Sequence, residues 1–381
     1  MKAIEMVDLK QQYQHIKSEV EVAFASVLES AGFIGGPQVN DFSKNLAAYL
    51  GVKHLIPCAN GTDALQIAMM ALGLEPGDEV ITPSFTYVAT TEVIALLKLK
   101  PVFVEVDTQT FCVEPEAIRK AITPKTKAIV PVHLYGHSAK MEEIMAIAKE
   151  HNLYVIEDNA QAIGSDYTFK DGTTKKTGSI GTIGCTSFFP SKNLGCYGDG
   201  GAICTNDDEL AVKLKMIANH GQSERYYHDV VGCNSRLDAL QAAILNIKLP
   251  LLDSYIDARI KAADFYDTAF AGNKKITTPV RADYCKHVFH QYTLIIDGAD
   301  NPHEYRNSLS YFLAENKIPS MIYYPVPAHK QKMFATFGGA NYELEKTDWL
   351  THRVISLPMH TELDEEQQGF ITDKVLEFIN R

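Results

Sequence analysis

Between residues 50 and 205 the chain alternates short apolar runs with longer amphipathic stretches, and this alternation narrows its fold more than any other feature. Runs of strand length stand at His54–Cys58, Glu79–Thr82, Pro101–Val106, Lys127–His133, Leu153–Glu157, Ile183–Phe189 and Gly201–Thr205. Helical spacing fills Thr62–Leu72, Thr86–Leu97, Glu114–Ile122 and Met141–His151. Strands that take turns with helices build βαβ units, so the pattern predicts an α/β fold around a mainly parallel, seven-stranded sheet. A helix is expected from about Gln12 to Ser30, with Gly32, Gly35 and Gly36 as a flexible stop. Past the sheet, Leu237–Leu249 and Asp253–Phe270 read as helices around Pro250. Beyond Asn273 shorter strands such as Tyr292–Ile296 mix with loops rich in Pro, His and Tyr. At 381 residues the chain is long for one core. The expected division is a large domain over 1–250 and a smaller α+β domain over 251–381.

Parallel sheets offer ligands the carboxyl ends of their strands. Asn60-Gly-Thr-Asp63 follows the first predicted strand, Phe85-Thr-Tyr87 the second and Asp158 the fifth, while Ser187 to Lys192 closes the sixth. Lys192 is the residue of most chemical interest. Phe188 and Phe189 precede it, and Gly195, Gly198, Gly200 and Gly201 follow it. The glycines are expected to let a planar ligand come close, and the aromatic pair to desolvate the amine. Desolvation lowers the proton affinity of a lysine and frees it as a nucleophile or base. An aspartate opposite such a lysine is the pairing that pyridoxal phosphate enzymes use. Near Asn60, a helix beginning at about Thr62 presents unpaired N–H groups suited to a phosphate. Ordinary capping by Asn60 or Thr62 is the competing reading.

Other classes are disfavoured. The formal net charge is −11 with no basic block, which argues against nucleic acid and anionic membranes as partners. No apolar run reaches the length of a membrane span, and the N-terminus lacks a secretory pattern, so a cytoplasmic location is expected. Seven cysteines show no Cys-x-x-Cys pair, so neither a zinc site nor a disulfide framework is indicated. His133 and His137 follow a predicted strand, not a helix, and no metal is expected. There is no P-loop, and Gly178-Ser-Ile-Gly-Thr-Ile-Gly184 lacks the dinucleotide spacing.

Taken in order, Asn60-Gly-Thr-Asp-Ala-Leu65, Thr82-Pro-Ser-Phe-Thr-Tyr-Val-Ala89, Glu157-Asp-Asn-Ala-Gln161, Ser187-Phe-Phe-Pro-Ser-Lys192 and Gly232-Cys-Asn-Ser-Arg-Leu-Asp238 carry a resemblance. The chain resembles the DegT-type nucleotide-sugar aminotransferases of fold-type I, from Asp8-Leu-Lys10 to Ser356-Leu-Pro-Met-His360. It looks most similar to members that aminate a UDP-linked 3-keto-N-acetylglucosaminuronate for bacterial lipopolysaccharide or O-antigen. The resemblance implies pyridoxal 5'-phosphate as cofactor and glutamate as amino donor. It implies that Lys192 forms the Schiff base and shuttles the proton, and that Asp158 binds the pyridine nitrogen. Gln161 would lie near the phenolic oxygen and Tyr87 would stack on the ring. Gly61, Thr62, Asp63 and Ser187 would hold the phosphate, completed by Asn234 from the other subunit of a homodimer with shared active sites. Arg236, Tyr323 and Tyr324 would meet the sugar nucleotide.

Three of these have plain alternatives: Tyr87 as a core aromatic, Asn234 as a helix cap, and Arg236 as the partner of Asp238. Two positions depart from the pattern. Tyr323 stands where many relatives have histidine, and Asn159 where alanine is common. Both bear on the choice of sugar. A dTDP- or UDP-linked 3-keto or 4-keto-6-deoxy sugar is the alternative substrate. Dehydratases of the same fold carry histidine at the lysine position, which Lys192 argues against. A cofactor-binding regulator without turnover is the remaining alternative.

Overall fold

The computed structural model describes residues 2–298 and 300–381, and in it the seven predicted strands join one sheet. They are β1 (His54–Cys58), β2 (Glu79–Pro83), β3 (Lys100–Val104), β4 (Thr126–Ile129), β5 (Tyr154–Asp158), β8 (Ile183–Ser187) and β9 (Gly201–Thr205). A small hairpin, β6 (Asp166–Thr168) and β7 (Thr174–Lys176), is inserted between the fifth and sixth of them. The order across the sheet is β1-β9-β8-β5-β4-β2-β3. Only β9 runs against its neighbours. Its first residue, Gly201, pairs with Cys58 on one side and Ser187 on the other, which brings the ends of β1 and β8 together.

Helices cover both faces, as a sheet of this kind requires. Twelve α-helices are described; the first is α1 (Leu9–Ser30) and the second α2 (Pro37–Leu50). α3 (Gly61–Ala71), α4 (Ala89–Leu96) and α7 (Asp208–Ala218) pack Leu65, Ile67, Met69, Val93, Ile94 and Leu214 on one face. α5 (Pro115–Ala121) and α6 (Met141–His151) bring Ile118, Ile144 and Ile147 to the other. Each such side chain contributes about 1.5–3 kcal/mol by leaving water. α8 (Ala239–Lys248) and α9 (Leu252–Phe270) are joined by a short 3-10 turn at Pro250. A second, three-stranded antiparallel sheet holds β12 (Ile276–Thr277), β13 (Tyr292–Ile296) and β14 (Val354–Leu357). Between the two sheets in sequence lies the outlying hairpin β10 (Gln222–Glu224) and β11 (Tyr227–His228). The second sheet shares a core with α9, α10 (Pro302–Glu315) and α12 (Glu365–Ile379), built on Tyr266, Phe270, Leu294, Leu309 and Ile371. The short α11 (Glu345–Thr351) lies between α10 and α12 in sequence.

Two local expectations change. The glycines after α1 do not lead straight to the sheet, because α2 intervenes. Pro37 starts this helix: its fixed φ suits the first turn, where its missing N–H is not needed. α2 then stops at Gly51, in the left-handed region at φ 68°. The helix expected from Thr86 begins only at Ala89, which leaves Thr86 and Tyr87 in the loop at the end of β2.

Candidate active site

A cleft of about 730 Å³ opens at the carboxyl ends of β1, β2, β5 and β8. Of the residues singled out from sequence, Gly61, Thr62, Asp63, Tyr87, Asp158, Gln161, Ser187, Lys192, Tyr323 and Tyr324 all line it. Asn234 and Arg236 do not.

One wall is the start of α3. The Asn60 side chain accepts from the Asp63 N–H at 2.8 Å, and the Asn60 carbonyl accepts from that of Ala64 at 3.1 Å. This cap takes up neither the Gly61 nor the Thr62 N–H. A side chain at Gly61 would begin 2.7 Å from the Cβ of Ser187, so the helix start and the end of β8 can approach only through glycine. Capping and an anion seat therefore coexist here, with Asn60 as the cap and its neighbours free for a ligand.

At the end of β5, Asp158 is 5% exposed. One carboxylate oxygen accepts from the Thr90 hydroxyl at 2.7 Å and the other from the Ala160 N–H at 3.1 Å. Thr90 in turn lies 3.2 Å from the Thr86 hydroxyl. These contacts hold the carboxylate facing the cleft. Gln161 is fixed at both ends: its Oε1 accepts from the Tyr135 N–H at 2.8 Å, and its Nε2 donates to the Tyr324 hydroxyl at 3.0 Å. Since a backbone N–H can only donate, the orientation of this amide is determined. Tyr135 supplies that N–H from a left-handed backbone at φ 58°, and its hydroxyl donates to the Tyr323 carbonyl.

Lys192 is half-buried on the cleft wall. Burial pushes the ammonium down to about 8, against a smaller upward pull from Asp158. His290 also reaches the cleft, 4% exposed and with no partner for Nδ1. Burial first, and the neighbouring Lys192 second, hold its pKa well below the usual imidazole range, so it stays neutral.

The glycines after Lys192 do something other than admit a ligand. A Cβ on Gly195 would lie 2.3 Å from the Pro190 carbonyl, one on Gly198 2.9 Å from the Gln241 amide, and one on Gly200 3.0 Å from Leu237. They close the loop upon itself and upon α8. The aromatic pair divides as well: Phe188 is fully buried against Phe42, and Phe189 is exposed at the cleft. Tyr87 is 57% exposed and so is no core aromatic, with its ring 6.2 Å from that of Tyr324. Asn159 turns from the cleft to donate to the Thr177 carbonyl at 3.0 Å. His133 is likewise a core residue, bonded to Glu157 at 2.9 Å.

Asn234 and Arg236 are exposed. Asn234 does not cap α8, whose N-cap is Asp238. Among the described residues no carboxylate lies in ion-pair reach of Arg236. Sequence reasoning missed His290 and Asp199 at the cleft and Thr90 buried beside Asp158. Thr86 and Thr90 carry a legible signal, two hydroxyls four residues apart beside a strand end. His290 carries none, since it arrives from the distant second sheet.

A family model for DegT/DnrJ/EryC1/StrS aminotransferases matches residues 14–376. The chain belongs to that family. The family uses pyridoxal phosphate, and its members include enzymes that aminate nucleotide sugars. Among relatives in the family, a pleiotropic regulatory protein of Geobacillus stearothermophilus is 47% identical over 98% of both chains. The UDP-2-acetamido-2-deoxy-3-oxo-D-glucuronate aminotransferase of Pseudomonas aeruginosa is 46% identical over 95% of this chain and 96% of its own. The dTDP-3-amino-3,4,6-trideoxy-alpha-D-glucose transaminase of Streptomyces venezuelae is 37% identical over 99% and 97%. In fold, the crystal structure of S. venezuelae DesV with a ketimine intermediate matches at a TM-score of 0.93, covering 100% of both chains at 37% identity.

Proposed function

We propose that this chain transfers the amino group of glutamate to a UDP-linked 3-keto-N-acetylglucosaminuronate, as a cytoplasmic homodimer serving bacterial lipopolysaccharide or O-antigen synthesis. The observation that carries the aminotransferase reading is Lys192, an amine of lowered proton affinity sharing a cleft with the fixed carboxylate of Asp158. The 46% identity to the glucuronate enzyme favours the sugar.

The cleft fits pyridoxal phosphate on its own chemistry: an uncommitted helix start, a held carboxylate, an amide of determined orientation and a desolvated lysine. Bound there, the cofactor supplies a ring that takes up electron density from the carbon next to the transferred nitrogen. The roles of the protein groups are those the family resemblance implies, and the geometry of the cleft is compatible with them. Gly61, Thr62, Asp63 and Ser187 hold the phosphate, and Asn234 of the second subunit completes that seat. Asp158 would keep a proton on the ring nitrogen through charge pairing, with Thr90 aiming the carboxylate. Gln161 would offer its Nε2 to the phenolic oxygen, and Tyr87 would face the ring. Lys192 would hold the cofactor and, as a free amine, would move the proton at the reacting carbon. Tyr323 and Tyr324 flank the sugar. In balance, glutamate becomes 2-oxoglutarate and the ketosugar becomes an aminosugar, so no outside oxidant is needed.

The cleft of one chain is short of positive charge. Asp63, Asp158 and Asp199 line it against Lys192, and among the described lining residues there is no arginine. A nucleoside diphosphate sugar with a carboxylate needs cations from elsewhere, and an exposed, unpaired Arg236 on the second subunit meets that need. An open apolar groove along α1, lined by Tyr13, Val20, Phe24, Leu28 and Tyr197, is available to that subunit. Residues 251–381 act in this reading as a small domain with its own core.

Incubation with glutamate and a panel of UDP- and dTDP-ketosugars, read by mass spectrometry, tests the proposal. The UDP-3-keto uronate should gain an amine. Turnover of a dTDP-linked or 4-keto-6-deoxy sugar with none of the uronate would replace the substrate, and no turnover of any would favour a regulator.

A further inference from the structure

Lys248 ends α8 and is 1% exposed, yet the chemistry above gives it no task. An ammonium leaves water at a cost unless acceptors replace that water. Here they do. Nζ donates to the Gly195 carbonyl at 2.8 Å and to Oε1 of Gln12 at 2.9 Å, and stands 4.5 Å from the centre of the Tyr197 ring. An unbranched apolar side chain of similar size would fill the space without desolvating a charge. The reason for a lysine lies in what it grips.

It grips the loop that carries Lys192. That loop is closed at its base, where the Cys196 N–H donates to the Phe188 carbonyl at 2.8 Å and the Lys192 N–H to the Phe189 carbonyl at the same distance. On one flank Asn193 ties it to the Val288 carbonyl at 2.9 Å, two residues before His290. On the other flank the Tyr197 N–H donates to Gln241 of α8 at 2.8 Å, and the Gly195 carbonyl is left to Lys248. Gln12 belongs to α1, so the same ammonium joins the N-terminal helix to the loop.

We infer that Lys248 is a positioning residue for Lys192, and that through Gln12 it makes α1 part of the support of the active-site loop. The inference rests on Lys192 as the cofactor lysine. Borohydride reduction and peptide mapping of the wild-type holoenzyme come first; a cofactor found on another lysine removes the functional reading and this inference together.

With the cofactor on Lys192, Lys248→Met decides the matter. The expected result is a kcat lower by about 10- to 100-fold with KM little changed, because misplacement of a reacting group costs rate at that scale. The pH midpoint of the bound-cofactor absorbance should move by about half a unit. Amide exchange in α1 should quicken. An unchanged midpoint and kcat, whatever happens to Tm, would make Lys248 a packing residue and overturn the inference. Should Lys248→Met not fold, Gln12→Leu removes one acceptor from the half-buried face of α1. A shifted midpoint with faster α1 exchange then supports the inference, and wild-type values of both overturn it.

Discussion

The loop from Phe188 to Tyr197 and the segment from His220 to Arg236 differ in almost every respect. The first is closed by its own backbone bonds, pinned from two flanks, and filled so tightly that its glycine, Gly195, has no space for a methyl group. The second projects a hairpin whose tyrosines, Tyr226 and Tyr227, are 77% and 67% exposed, and it leaves Asn234 and Arg236 in solvent. A single chain therefore completes the part of the site that our reading assigns to the reacting nitrogen. It leaves unfinished the part that our reading assigns to the phosphate and the sugar nucleotide. In that reading the chemistry belongs to one subunit and recognition to two.

Lys192→Ala strikes the closed region, and turnover should fall at least about 10³-fold, the scale of a lost proton-transfer group. The protein should still bind cofactor noncovalently, seen as retained absorbance that borohydride no longer fixes. Retained turnover would reduce Lys192 to a loop residue. Asn234→Ala strikes the open region and should cost about 10- to 100-fold in cofactor affinity, the price of losing a charge-assisted bond. Mixed with Lys192→Ala and exchanged, it should recover about a quarter of wild-type activity, since half of all dimers then hold one intact site. No recovery after verified exchange would mean that each chain works alone.

Thr90→Val removes the hydrogen bond that aims Asp158. A bond to a charged group is worth about 1.5–3 kcal/mol, so kcat should drop about tenfold or somewhat more while KM changes little. An unchanged kcat would show that Ala160 alone holds the carboxylate. The last test is of degree. Covalent attachment of pyridoxal phosphate to the apoprotein should rise with pH to a plateau with its midpoint near about 8, where the Lys192 amine becomes free. A lowered lysine pKa also disfavours the protonated folded state. Stability of the apoprotein should therefore gain from this group as pH climbs from about 8 toward the ordinary lysine range, and lose that gain below it. A midpoint near the ordinary lysine value would show that the amine is not desolvated.

The sheet was legible because alternation and strand ends are local properties, written in consecutive residues. That is why the sequence alone sets Asn60, Asp158 and Lys192 at one end of the sheet. What lay outside the reach of spacing was the partner of each group. Gly195 and Gly200 promise an open approach in sequence, and in space they meet Pro190 and Leu237. His290 and Tyr324 come to the cleft from more than a hundred residues beyond Asp158 along the chain, and no periodicity connects them. The glycines at 32, 35 and 36 read as a flexible stop, and nothing in their spacing announces the second helix that Pro37 opens.

The reversed strand β9 has a bearing on how this protein can change. Parallel neighbours must be joined by a long crossover, but β8 and β9 are antiparallel and adjacent, so their ends lie about 5 Å apart. The residues between them need not follow any helix. Insertions in the crossovers that carry α5 or α6, neither of which lines the cleft, do not lengthen the return from Ser187 to Gly201. In our reading the lysine that would hold the cofactor is thereby set apart from the crossover helices. On our reading, a scaffold wired in this way can take up a new sugar by remodelling loops elsewhere at the cleft while the Lys192 amine stays where it was.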